Sequence, residues 1–68
     1  MSDNDIRQAV YDCITTFRSE HGLSPSITEI AACVGRSAGS VRWHLAKLEE
    51  EGRITRIPGR AGGIIVNQ

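Results

Sequence analysis

The stretch Ser26–Lys47, SITEIAACVGRSAGSVRWHLAK, constrains this chain more than any other. Ile27, Ile30, Ala31 and Val34 recur at helical spacing and Gly35 stops the pattern, which predicts a short helix over about 27–34. Ser26 followed by Glu29 is a capping box for it. Ser37 then caps a second helix, about 38–51, with Val41, Leu45 and Leu48 on its apolar face and Gly52 just beyond its end. A short helix, a glycine turn and a longer helix form a helix-turn-helix, which buries only one side. It needs a preceding helix and a cover from behind.

Both are present in the chain. Ile6, Val10, Cys13, Ile14 and Phe17 mark a buried stripe on a first helix over about 5–20. Residues 1–4 are expected to fray, although Ser2 with Asp5 offers a capping box and Asn4 a rival cap. His21-Gly22 ends this helix, Leu23 is expected to plug the core, and Ser24-Pro25 forms an extended piece able to pair with a later strand. After Gly52, Ile54-Thr55-Arg56-Ile57 alternates as a half-buried strand does. Ile64-Ile65-Val66 reads as its partner across the glycine-rich segment 58–63. The hairpin, about 54–66, is expected to cover the core with Ile54 and Ile57 on one side and Ile65 on the other, leaving Arg56 outward. Three helices followed by an antiparallel two-stranded hairpin make a winged helix-turn-helix, α+β and mainly helical, with 58–63 as the wing and residues 1–68 as one domain.

At 68 residues, 40 % hydrophobic and 24 % charged, the chain suits a small folded domain and holds no run long enough for a membrane span. The acidic, polar MSDNDIRQ is not a signal peptide, and a cytoplasmic location follows as the expectation. Formal charge is zero, but residues 1–20 carry a net −2 and residues 21–68 a net +2. Cys13 and Cys33 lie in apolar patterns and are expected to be buried thiols. Neither they nor His21 and His44 have metal-ligand spacing, so no metal or other cofactor is expected. No catalytic triad or phosphate-binding glycine loop is recognisable, which argues against an enzyme.

The candidate site is the solvent face of the third helix. Ser40, Arg42 and Trp43 are candidates for reading bases, since arginine bonds guanine bidentately and an exposed indole can meet a thymine methyl. Trp43 is equally open to intramolecular packing or a partner interface. Arg36, Ser37, Lys47, Arg56 and Arg60 are candidates for backbone or wing contacts, with Ser37 also a cap and Lys47 also able to pair with Glu51. His44 reads as a half-buried, hydrogen-bonded histidine. Small residues, Ala38, Gly39 and Ser40, open the helix where close approach is needed; Glu49-Glu50-Glu51 makes its far end unsuited to phosphates.

The residues Arg7-Gln8, Pro25-Ser26, Glu29-Ile30-Ala31, Gly35, Ser37, His44-Leu45, Glu51-Gly52-Arg53-Ile54 and Gly63-Ile64 resemble the DNA-binding domain of the LexA repressor family over about 6–66. The resemblance implies operator binding and transcriptional repression, with the third helix in the major groove and the wing at nearby backbone or minor groove. By position it places Ser37, Gly39, Ser40, Arg42 and Trp43 where such repressors read DNA. That family is more acidic at the positions of Arg42-Trp43, which implies a different operator. Its members also carry a self-cleaving serine-lysine domain that drives dimerisation, and nothing in these 68 residues matches it. The expected function is sequence-specific double-stranded DNA binding by a small transcriptional regulator, a repressor, localised with the nucleoid when bound, with a homodimer or partner protein supplying a second half-site. The rival reading is a winged-helix protein-interaction module without direct DNA contact. Binding of single strands or non-B-form duplex is a third.

Overall fold

The computed structural model describes residues 2–57, 59 and 63–67. Helix α1 spans Asp3–His21, α2 Ile27–Val34 and α3 Ala38–Glu50; strands β1, Ile54–Arg56, and β2, Ile64–Val66, follow. The element order is that of a winged helix-turn-helix. Residues 58 and 60–62, most of the expected wing loop, lie outside the described set.

Capping residues set the helix starts. Ser2 caps α1, its hydroxyl accepting from the Asp5 backbone N–H at 3.2 Å while Asp5 accepts from the Ser2 N–H. The first turn is therefore helical from Asp3 and not frayed through residue 4. Ser26 and Glu29 close the same reciprocal box on α2. Accepting that backbone N–H, and the Ser26 hydroxyl with it, holds the Glu29 carboxylate below its usual range. Gly35, at φ 69°, takes the left-handed conformation that ends α2 and turns the chain toward α3. Glu51 is the last residue of α3's cap; Gly52 (φ 73°) bonds back to the Glu49 carbonyl and Arg53 to that of Leu48, a Schellman closure.

The three helices pack on one another and β1 packs on α3. The core is Val10 and Ile14 of α1, Ile30 of α2, Val41, Leu45 and Leu48 of α3, Ile54 of β1 and Ile64 of β2. Burying each large aliphatic side chain stabilises by roughly 1.5–3 kcal/mol, which a chain of this size needs. Of the first helix's apolar stripe, only Val10 and Ile14 are fully covered. Ile6, Cys13 and Phe17 are half-buried, Cys13 and Phe17 lining the open groove between α1 and α2.

Four further expectations are corrected. Leu23 is 59 % exposed and plugs nothing; Ser24 and Pro25, beside it, are buried instead. The hairpin pairs Ile54 with Val66, Thr55 with Ile65 and Arg56 with Ile64. Because cross-strand partners share a face, Ile64 turns inward with Ile54, and Ile65 is exposed. Arg56, two residues from Ile54, falls on that covered face, half-buried and not outward. Cys33 is exposed and Cys13 only half-buried. The two face the groove between α1 and α2, where burial and the neighbouring Cys33 thiol push Cys13 up to about 12.

Candidate nucleic-acid interface

Helix α3 is fixed to the core by Val41, His44, Leu45 and Leu48. At about 100° per residue, those four leave Gly39, Arg42, Trp43, Ala46 and Glu50 along the opposite side, and all five are exposed. Ser40 and Lys47 flank this strip, half-buried. Of the predicted base readers, Arg42 and Trp43 therefore stand on the crest and Ser40 on its shoulder. Gly39, Ala46 and, at the carboxyl end, Glu50 complete the crest. Ala46 was legible only by extending the core periodicity across to the far side, since an alanine carries no polar signal.

The amino end of α3 is open. Ser37 caps it, its hydroxyl accepting from the Ser40 N–H at 3.2 Å. A Cβ placed on Gly39 meets only the Ser37 Oγ, at 3.9 Å, so nothing inside the fold requires glycine there. Free N–H groups and the helix dipole make this end attractive to phosphate. Arg36 is exposed in the turn just before it.

The cations separate into two groups. Arg7, Arg18 and Arg53 are used by the fold. The Arg7 Nη1 pairs with Glu51 at 2.8 Å. Arg18 donates to Ser24 and to the Ile64 carbonyl. Arg53 lies 4.1 Å over the Tyr11 ring and donates to Gln8. Arg36, Arg42 and Arg56 form no ion pair among the described residues, and Arg36 and Arg42 are fully outward. Lys47 pairs with Glu50 at 3.3 Å, not with Glu51, which Arg7 occupies. Exposed pairs of this kind hold weakly and yield to a competing phosphate. The free positive charge thus gathers on the turn and the first half of α3, while Glu49 and Glu50 keep the carboxyl end acidic. Arg60 lies outside the described residues.

Trp43 is 46 % exposed, which settles it outside the core. The Arg7 guanidinium and the Lys47 ammonium each lie 5.5 Å from its ring centroid, and His44 meets it edge-on at 4.9 Å. Arg7, on α1, is the site neighbour that sequence reasoning missed, because its approach to Trp43 depends on how α1 crosses α3. His44 is 2 % exposed with its Nδ1 unpartnered, in place of the half-buried, hydrogen-bonded state expected. Burial, and secondarily the Arg7 charge, hold it below the ordinary histidine value. Among the described residues there is no metal-binding cluster, and no helix is long and apolar enough to cross a membrane.

A three-helix unit with a paired β hairpin and an exposed, basic-headed third helix is a winged helix-turn-helix protein. Residues 4–63 match the family model described as the LexA DNA binding domain, and the chain belongs to that family. It is 46 % and 48 % identical to the LexA repressors of Xylella fastidiosa strains M12 and M23, and 40 % identical to that of Stenotrophomonas maltophilia strain R551-3. Each match covers 94 % of this chain and 31 % of the relative. The chain thus spans about a third of the length of the curated relatives it matches.

Proposed function

We propose that residues 1–68 act as one DNA-docking domain of a sequence-specific transcriptional repressor, with α3 in the major groove of double-stranded DNA. The observation that carries this is the crest of α3. Its small residues Gly39 and Ala46 leave room for close approach, Arg42 and Trp43 project, and the exposed cations Arg36 and Arg42 concentrate at one end. The LexA repressors that the chain resembles support the repressor assignment.

Arg42, Ser40 and Trp43 read base edges; Arg36, Ser37, Lys47, Arg56 and Arg60 hold the phosphates and the wing side. Acidic Glu49 and Glu50 orient the helix with its amino half toward the duplex. One such domain covers few base pairs, so two copies on two half-sites supply full specificity. The protein works in the cytoplasm at the nucleoid.

Fluorescence anisotropy tests this, with a random-sequence duplex and a duplex enriched from a randomised pool, at low and at physiological salt. Binding that weakens steeply with salt and favours the enriched duplex supports the reading. Failure to bind either duplex at low salt refutes it.

A further inference from the structure

We infer that Arg7 of α1 is a positioning residue for Trp43: together with Lys47 it restrains the indole on the crest of α3 and so sharpens discrimination between DNA sequences. This rests on the DNA-docking reading above.

An exposed tryptophan on a helix has several rotamers, and fixing one on binding costs free energy. Here cations stand near the ring from two elements, Arg7 from α1 and Lys47 from the next turn of α3, each 5.5 Å from the centroid. Both distances fall within the roughly 6 Å over which a ring attracts a cation. Lys47 is a flexible side chain. Arg7 is not, because Glu51, just past the end of α3, holds its Nη1 at 2.8 Å and the Arg7 side chain is only 14 % exposed. The Glu51 carboxylate thus holds the guanidinium, and the guanidinium restrains the indole. His44, held in the core, meets the same ring edge-on at 4.9 Å.

A role limited to stability does not account for this arginine. Its Nε is buried without a partner, a state that costs stability. An apolar side chain would cover α3 there without that cost. What an arginine adds is a planar cation that reaches Glu51 and Trp43 at once.

Acrylamide quenching of Trp43, the single tryptophan, tests the positioning in the free chain. Parent, Arg7→Gln, Arg7→Lys and Glu51→Gln are compared, with circular dichroism confirming the fold of each. Quenching is expected to rise in Arg7→Gln and in Glu51→Gln, which keeps the cation but removes its anchor, and to recover in part in Arg7→Lys. The ratio of affinities for the enriched and random duplexes is then expected to fall about two- to five-fold in Arg7→Gln. That ratio cancels the loss of one general phosphate attraction. Unchanged quenching in folded Arg7→Gln and Glu51→Gln overturns the positioning, and an unchanged ratio overturns its effect on discrimination. Failure of the parent to bind either duplex defeats the DNA-docking reading itself, and the quenching comparison still decides whether Arg7 restrains Trp43.

Discussion

Arg18 of α1 donates to the backbone carbonyl of Ile64 in β2 at 2.8 Å, across 46 residues of chain. The Ser24 hydroxyl donates to the same oxygen and accepts a second bond from Arg18. This is how the extended piece before α2 meets the hairpin: through a side chain and not through strand pairing. It ties β2 to α1 and to the segment before α2.

Removing one donor leaves the Ile64 carbonyl bonded to the other. Ser24→Ala is therefore expected to cost about 1 kcal/mol, and Arg18→Ala a similar amount. The double variant is expected to cost more than their sum, since it strands a covered carbonyl. Thermal denaturation of the four proteins gives the coupling directly; simple additivity would show that the carbonyl finds water instead.

Gly39 should separate stability from binding. Alanine fits without a clash and is the better helix former, so Gly39→Ala is expected to raise stability by a few tenths to about 1 kcal/mol. The added methyl stands on the crest, so affinity for the enriched duplex should fall. A variant with both quantities raised would remove Gly39 from the interface.

Arg42→Ala should weaken the enriched duplex more than the random one. A lost bidentate base contact corresponds to about 1–3 kcal/mol of discrimination. Equal weakening of both, with a salt slope shallower by about one, would make Arg42 a phosphate contact instead.

His44 makes the fold sensitive to acid. Burial, with the nearby Arg7 and Arg36 charges only partly opposed by Asp3, holds its folded value below the ordinary 6.5. As pH falls past about 6.5 the unfolded chain takes the proton first. The stability associated with neutral His44 is complete above that pH and declines below it, down to the lowered folded value. In urea melts between pH 5 and 7.5, His44→Gln is expected to flatten this part of the profile. An unchanged slope would assign the acid sensitivity elsewhere.

Leu23 and Leu45 are the same residue in opposite surroundings. Leu23→Ser should change stability by no more than about 0.5 kcal/mol, given its 59 % exposure. Leu45→Ala, fully buried, should cost about 2–5 kcal/mol. Circular dichroism melts distinguish them readily.

Local patterns in the chain defined the elements and most of their ends, leaving the start of α1 open between Ser2 and Asn4. Ser26 and Ser37 as caps, Gly35 and Gly52 as stops, and the spacing of Val41, Leu45 and Leu48 are local signals, readable because capping and helical periodicity involve residues only three or four apart. They also gave the order of helices and strands, and with it the winged helix-turn-helix and its family. Tertiary structure alone decided which arginines remain outward. Arg7, Arg18 and Arg53 look no different from Arg36 and Arg42 in the chain, yet each finds its fold partner in Glu51, Ile64 or Tyr11. Hairpin register was likewise undecided: the pairing turns Ile64 and not Ile65 inward, on the face that Ile54 and Arg56 of β1 share. The exposure of Trp43 and the burial of His44, adjacent in sequence, follow from where α1 lies against α3. Contacts between residues more than forty positions apart depend on how the elements dock, and no local pattern in the chain encodes them.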